Sequence, residues 1–133
     1  MNPTALTHWH RLVSERDAAG LDALIDDDAV FLSPVVHTPQ RGKAITVMYL
    51  AAAFQVFFTP SFHYVREIVG PSDAMLEFET EIDGIQINGV DIIKWNEAGR
   101  IVEFKVMLRP LKAVNLIHQY MGAMLQRLKS PGA

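Results

Sequence analysis

The sequence predicts an α+β fold in which N-terminal helices are packed on a curved antiparallel sheet and a further helix follows. Three observations support this prediction. Helical periodicity prevails before Thr59, four runs with strand character follow one another from Phe62 to Leu108, and an amphipathic stretch comes last. Helices segregated from consecutive antiparallel strands are typical of an α+β architecture. Because a twisted sheet closed on one side by helices leaves a cone, we expect a cone-shaped barrel that contains a pocket.

The N-terminal segment predicts two helices and a strand. Asn2-Pro3 is a typical helix start, and apolar residues recur at helical spacing as far as Val13, so we predict a helix from residue 3 to about 17. The stretch "LDALID" predicts a short second helix, which places the acidic residues 26–28 at a solvated helix end. "AVFLSP" is β-branched and aromatic and ends at a proline, which predicts a strand.

A long helix is predicted from Gly42 to about Phe58, after a loop over residues 35–41. Its sequence is apolar nearly all round, so the helix must be covered on most of its circumference. Thr59-Pro60 ends it.

Four strands are predicted from the runs "FHYVREIV", "AMLEFETEI", "GVDIIKW" and "RIVEFKVML", which are joined by short turn sequences. Apolar and polar residues alternate in the second and fourth runs, so one face of the sheet should be packed and the other polar. A C-terminal helix with an apolar stripe is predicted over about 111–129, with a loose tail over 130–133. We assign residues 1–133 to a single domain, since 133 residues suit one core.

Composition excludes several classes of function. A net charge of −3 gives no general attraction to nucleic acid or to anionic membranes. The chain has no cysteine, which excludes disulfides, thiolate metal sites and cysteine nucleophiles. No signal peptide and no bilayer-spanning segment are predicted, so we expect a cytoplasmic protein.

The stretch "NGVDIIKWNEAGRIVEF" contains the leading candidate for a functional residue. If the strand alternates, Asp91 shares its inner side with Ile93 and Trp95. A carboxylate in an apolar row is costly to desolvate, and its burial would raise its pKa toward neutrality. We therefore predict that Asp91 lies in the pocket, either as a proton-transfer group or as a structural hydrogen-bonding anchor.

Three stretches resemble the nuclear transport factor 2-like superfamily, especially its SnoaL-like and ketosteroid isomerase-like members: "DAAGLDALIDDDAVFLSP", "RGKAITVMYLAAAF" and "GVDIIKWNEAGRIVEFKVMLRP". Ketosteroid isomerase uses an aspartate base and an oxyanion hole made of a tyrosine and a protonated aspartic acid. The resemblance places Asp91 at the position of that acid and implies that Tyr49 is a pocket tyrosine. The base position falls on Ser33, and the oxyanion-hole tyrosine falls on Leu12 or Trp9, so two of the three groups are missing. Steroid isomerisation by that route is therefore not expected.

The resemblance also implies a histidine that assists Asp91 and a second copy of the chain as a partner. SnoaL-like cyclases pair an aspartate near this position with a histidine, which implies His10 or His63 as a helper of Asp91. Only one of the neighbours His63 and Tyr64 can face inward from a strand. The family further implies a homodimer through the outer face of the sheet.

The candidate site comprises three catalytic candidates and a largely apolar pocket lining. The catalytic candidates are Asp91, His10 and His63, with no metal and no cofactor, because the histidines are not clustered and no nucleotide motif is present. We predict a ligand-binding pocket lined by Trp9, Ser33, Tyr49, Tyr64, Phe78, Ile93, Trp95, Phe104 and Val106.

Two hypotheses of function follow. In the first, the protein binds a hydrophobic small molecule and, if it is an enzyme, acts as a cofactor-independent isomerase, cyclase or dehydratase through Asp91. In the second, it is a non-catalytic ligand-binding or dimerisation module in which Asp91 is structural.

Overall fold

The computed structural model describes residues 4–129, which form four α-helices and one six-stranded sheet. The helices are α1 (Thr4–Glu15), α2 (Leu21–Leu24), α3 (Lys43–Phe57) and α4 (Leu111–Lys129), with a 3-10 turn at Ala18–Gly20. The strands are β1 (Ile25–Leu32), β2 (Gln40–Arg41), β3 (His63–Val69), β4 (Asp73–Ile82), β5 (Ile85–Trp95) and β6 (Ile101–Arg109). The predicted α+β cone with its C-terminal helix is confirmed.

The sheet has the order β2-β1-β6-β5-β4-β3 and is mixed. The meander from β3 to β6 is antiparallel throughout, as predicted. β1, however, pairs parallel to β6, so the expectation of a wholly antiparallel sheet is wrong at this pair. The two strands are separated in sequence by α3 and the meander, and residue patterns within a strand do not fix its direction relative to so distant a partner.

The boundary between α2 and β1 differs from the prediction. Ile25 is fully buried and already has an extended backbone (φ −87°, ψ 129°), which limits α2 to a single turn. The acidic residues 26–28 therefore lie in β1 and not at a helix end. Asn96 Nδ2 donates a hydrogen bond to Asp26 Oδ1 over 3.0 Å, which anchors this part of β1 to the turn between β5 and β6.

Two further differences lie in the loops. β5 begins at Ile85, earlier than predicted, because Asp83 and Gly84 both adopt positive φ and make a tight turn after β4. The predicted loop over 35–41 contains the two-residue strand β2. The predicted helix start at Asn2-Pro3 and the predicted tail over 130–133 lie outside the described residues.

The core lies between the inner face of the sheet and the helices. α3 packs on this face and contributes buried side chains to both parts of the core, as its apolar sequence predicted. α1 packs near one end of the cone, and α4 covers the other end through Ala113, Ile117 and Met121. Leu111, at the first position of α4, is 74 % exposed and lies outside the packed stripe of this helix. Within residues 4–129, no helix combines the length and apolarity needed to cross a bilayer.

Candidate active site

Asp91 lies on the inner face of β5. Its neighbours in register are Leu76 on β4 and Val106 on β6. Asp91 is only 7 % exposed, and Ile93, two residues further along β5, is also buried. Lys94, on the opposite side of the strand, is exposed. The alternation of the strand thus carries one carboxyl group into the apolar interior.

A hydrogen-bonded relay from α1 through β3 ends on this carboxyl group. The Trp9 Nε1–H group donates to the Tyr64 hydroxyl oxygen over 3.0 Å, and the Tyr64 hydroxyl donates to Asp91 Oδ2 over 2.8 Å. Both bonds run in the same direction, so each strengthens the next by polarisation. Within residues 4–129, Asp91 Oδ1 has no hydrogen-bonding partner.

Burial controls the protonation of both relay groups. Desolvation raises the pKa of Asp91 to about 7, although the hydrogen bond from Tyr64 acts in the opposite direction. Desolvation and the nearby Asp91 charge raise the pKa of Tyr64 well above its usual value. Asp91 therefore exchanges protons near neutral pH while Tyr64 stays protonated as a donor.

A small cavity adjoins Asp91. This inner hollow has a volume of about 30 Å³. It is lined by Trp9, Leu50, Ala53, Phe54, Phe57, Phe58, Phe62, Phe78, Asp91, Phe104 and Val106. Among the described residues, Asp91 is the only titratable group of this lining. One carboxyl group thus faces an otherwise apolar space the size of a single water molecule or carbonyl group.

A larger cavity lies under α4. This outer hollow has a volume of about 130 Å³. It is lined by Phe31, Ser33, Pro34, Val35, Val36, Tyr49, Ala53, Phe57, Val106, Ile117, His118, Met121, Gly122 and Leu125. Ala53, Phe57 and Val106 line both hollows, so the two spaces adjoin.

The structure brings many of the predicted site residues together. Trp9, Phe78, Phe104 and Val106 line the inner hollow together with Asp91. Tyr64 donates its hydrogen bond to Asp91 without lining either hollow. Ile93 is buried in the core beside this site without lining either hollow.

Three predicted pocket residues lie elsewhere. Ser33 and Tyr49 line the outer hollow, where Tyr49 stacks on Phe31 with ring centroids 4.9 Å apart. Ser33 Oγ accepts a hydrogen bond from the Val35 amide over 3.1 Å, so it serves the local turn. Trp95 was expected in the pocket, but it lies further along β5 beside a surface depression near Thr4.

The two histidine candidates lie outside both hollows. The exposed His63 donates from Nδ1 to the Ser61 carbonyl oxygen over 2.8 Å, because β3 turns Tyr64 inward and therefore His63 outward. This corrects the expectation that His63 assists Asp91. His10 donates from Nε2 to Glu67 Oε1 over 2.7 Å, and its ring meets the Tyr64 ring edge-on at 5.7 Å. His10 thus contacts the relay from outside and does not reach the inner hollow.

The sequence did not reveal the aromatic lining supplied by the end of α3 and by the segment between α3 and β3. Phe54, Phe57, Phe58 and Phe62 form much of the inner hollow, and Phe58 and Phe62 meet edge-on at 4.8 Å. The only signal in the sequence is their density between residues 54 and 62, since an all-round apolar helix does not reveal which face lines a cavity.

Comparison with known proteins assigns this chain to a protein family. A family model described as a SnoaL-like domain matches residues 6–104. The chain belongs to the SnoaL-like domain family. It is thereby a ketosteroid isomerase-like member of the nuclear transport factor 2-like superfamily, as the sequence predicted. α4 lies beyond the matched segment of this SnoaL-like chain.

Solved structures resemble this SnoaL-like protein along 80 to 98 % of its length. A steroid delta-isomerase from Pseudomonas aeruginosa is 33 % identical, with 98 % of each chain covered and a TM-score of 0.89. An uncharacterised bacterial protein with a cystatin-like fold from Silicibacter pomeroyi is 30 % identical, with 96 % of this chain and 88 % of that chain covered and a TM-score of 0.86. A protein of the NTF2-like class from Mesorhizobium loti is 20 % identical, with 80 % and 88 % covered and a TM-score of 0.69, and shows the shared fold alone. Among curated proteins, none matches this chain.

Proposed function

We propose that this SnoaL-like protein is an isomerase that moves a proton within an apolar small molecule carrying a carbonyl group. The observation that carries the proposal is the position of Asp91. Among the described residues, Asp91 is the only titratable group that lines the inner hollow, and its Oδ1 atom has no hydrogen-bonding partner. A group that transfers protons is most effective when its pKa lies near the operating pH, and the pKa of Asp91 is about 7.

A single carboxyl group suits isomerisation better than reactions that need separate acids and bases. The Asp91 carboxylate takes a proton from the carbon beside the carbonyl, and the electron pair of that C–H bond shifts toward the carbonyl oxygen to form an enolate. When the substrate carries a β,γ double bond, this enolate is a dienolate; the resulting carboxylic acid returns the same proton to its γ-carbon, the α,β double bond forms, and the electron pair returns from oxygen to restore the carbonyl group. The group ends in its starting state, so no second base is required. Tyr64 and Trp9 orient the carboxyl group and support its charge through their hydrogen bonds.

Similarity to the steroid delta-isomerase of Pseudomonas aeruginosa supports the type of reaction. The size of the inner hollow limits what enters it. A space of about 30 Å³ holds a carbonyl group and its reacting carbon only when the neighbouring side chains yield slightly. The reacting end of the substrate is therefore expected beside Asp91, with the rest of the molecule outside this space.

Replacement of Asp91 tests the proposal. Asp91→Asn keeps the shape of the side chain but cannot accept the proton, so proton-transfer activity should fall by about 10²- to 10⁴-fold. The assays are the exchange of α-hydrogens of cyclic ketones with D₂O, followed by NMR, and the migration of a β,γ double bond into conjugation, followed by ultraviolet absorbance. Asp83→Asn, the same change in an exposed turn, is the matched control and should retain wild-type rates. Equal activity of Asp91→Asn and wild type would exclude Asp91 as the proton carrier, and ketone binding without exchange would indicate a binding module.

The pH profile tests which form of Asp91 begins the reaction. A base must be ionised in the free enzyme, so kcat/KM should rise with pH and reach half its maximum near the pKa of about 7. The measurement is kcat/KM between pH 5 and 9 for the double-bond migration. A rate that is highest at low pH and falls through neutrality would contradict the base role and assign the first step to the protonated acid.

A further inference from the structure

The inner hollow borders solvent at Phe58 and Phe62. Most of its lining is buried, but these two aromatic side chains are half-buried. The third half-buried residue of the lining, Ala53, lies toward the outer hollow, whose lining it shares. We call the surface between the Phe58 and Phe62 rings the mouth of the inner hollow, because a substrate can enter there by displacing side chains that already border solvent.

A cation lies at this mouth. The Cζ atom of Arg16 is 4.4 Å from the centroid of the Phe58 ring, within the range of a cation–π interaction. Its Nη1 group donates a hydrogen bond to the Val13 carbonyl oxygen over 2.9 Å. These two contacts hold the exposed side chain of Arg16 against the mouth, from the turn that follows α1.

The backbone at Arg16 favours glycine and not arginine. Arg16 has a φ of +55°. Its amide donates to the Val13 carbonyl oxygen over 3.3 Å, and the Asp17 amide donates to the Leu12 carbonyl oxygen over 2.9 Å, which is the pattern of a Schellman motif. Glycine is the commonest residue at this position, because positive φ is unfavourable for other residues. The turn therefore does not explain an arginine, and what the side chain adds is its contact with the mouth.

The guanidinium group of Arg16 has hydrogen-bonding capacity that the fold does not use. Arginine carries five N–H donors, and within residues 4–129 the bond to Val13 is the only one that this group makes. In the same part of the chain, no carboxylate lies at ion-pairing distance from it. The adjacent Asp17 carboxylate accepts instead from the Gly20 amide over 3.2 Å. An unpaired positive charge thus stands beside an apolar entrance.

We propose that Arg16 binds a carboxylate at the far end of the substrate. A guanidinium group matches a carboxylate through two parallel N–H···O hydrogen bonds. The inference rests on the proposed function in one respect, since it assigns the carbonyl end of the same molecule to Asp91. It narrows the substrate class to oxo acids, whose carboxylate stays in the mouth while the uncharged end enters the inner hollow. Arg16 is then a specificity-determining residue, and Asp91 is the reacting group.

Oxo acids and their methyl esters test this assignment, because the members of each pair differ chiefly in charge. The probes are 4-oxopentanoate, 5-oxohexanoate and 6-oxoheptanoate with their methyl esters, which vary the distance between carbonyl and carboxylate. Dissociation constants are measured by NMR titration at neutral pH. Wild-type protein should bind at least one acid about fivefold more tightly than its ester, and high salt should reduce this ratio.

Variants of Arg16 assign the preference to this side chain. Arg16→Gln removes the charge and should bring the ratio of the two dissociation constants to about one. Arg16→Lys keeps the charge without the planar group and should retain part of the preference. Arg16→Gly suits the positive φ and serves as a second neutral variant that preserves the turn. Arg11→Gln removes the same charge from an exposed position of α1 and, as the matched control, should keep the wild-type ratio.

The outcomes separate this inference from the proposed chemistry. Three results would overturn it: equal binding of every acid and its ester by wild type, no binding of any acid, or an unchanged ratio in folded Arg16→Gln or Arg16→Gly. Asp91→Asn should keep the preference for the acid, because Asp91 lies at the other end of the ligand. A preference for the acid without any proton exchange by wild type would support the role of Arg16 and remove the proposed isomerisation.

Discussion

At the scale of single residues, the burial of Asp91 has an energetic cost. The pKa of this group is about 7 in the folded protein, against 3.8 for an unperturbed aspartate. Since the folded state binds the proton more tightly, the contribution of Asp91 to stability is fully present below pH 4 and is lost as pH rises through 7. The full loss is on the order of 4 kcal/mol.

Stability measurements against pH should reveal this cost. Asp91→Asn lacks an ionisable group, so its free energy of unfolding should improve relative to wild type by about 2 to 3 kcal/mol between pH 5 and pH 8. Urea unfolding of both proteins at the two pH values measures the difference. Asp83→Asn, in an exposed turn, should show no such trend. A constant gap between wild type and Asp91→Asn would mean that Asp91 is not buried with a raised pKa.

The Tyr64 hydroxyl should lower the pKa of Asp91. Its hydrogen bond lowers the pKa of Asp91, so Tyr64→Phe should raise that pKa above 7 and move the midpoint of the pH–rate profile to higher pH. Tyr120→Phe removes the same hydroxyl from an exposed position of α4 and is the matched control. The comparison is made by kcat/KM profiles. An unmoved midpoint in Tyr64→Phe would show that the hydroxyl does not act on Asp91.

At the scale of elements, the sequence predicted regular strands well and their boundaries less well. Alternation in β4 and β6 is a local signal, because one face of each strand is buried. The start of β1 at Ile25 has no such signal, since three consecutive aspartates suit a helix end as well as a strand edge. The parallel pairing of β1 with β6 depends on the path of the whole chain and was therefore beyond local patterns.

Gly89 of β5 tests the close packing of the meander. A Cβ at this position would lie 2.5 Å from Phe78 Cζ and 2.8 Å from the Met107 carbonyl oxygen, and the backbone oxygen has little freedom to move. Gly89→Ala should therefore destabilise the fold by about 1 to 3 kcal/mol. Gly122→Ala, the same change at an open helical position, should stabilise it by about 0.5 to 1 kcal/mol. Urea unfolding measures both, and similar signs for the two variants would contradict this packing.

At the scale of the whole molecule, a sequence predicts a functional residue only where the pattern that marks it lies within one helix or strand. Asp91 was found because a charged residue in an apolar row is visible within one strand. Three other features arise only when distant elements meet. They are the inward orientation of Tyr64 rather than His63, the phenylalanine side chains at and after the end of α3, and the outer hollow under α4. Family resemblance supplied the cone but placed Ser33 at a base position that here belongs to a turn.

The homodimer implied by the family resemblance stays a prediction. Met107 is 56 % exposed on the outer face of the sheet, where it pairs with Val90 in register. If two sheets pack face to face, sedimentation should give a particle of twice the 14.9 kDa chain mass, and Met107→Glu should shift it toward monomer by burying a charge. Ala123→Glu, on exposed α4, should leave the mass unchanged. A monomeric wild-type protein at tens of micromolar would contradict the predicted interface.

The most direct test of this account is an NMR titration of the Asp91 side-chain carbon in the unliganded wild-type protein, assigned by its disappearance in Asp91→Asn. A transition near pH 7 would establish a carboxyl group that gains and loses its proton at working pH inside an apolar hollow. A transition near pH 4 would show a permanently ionised, solvated or tightly paired group, and Asp91 could not then carry a proton as proposed.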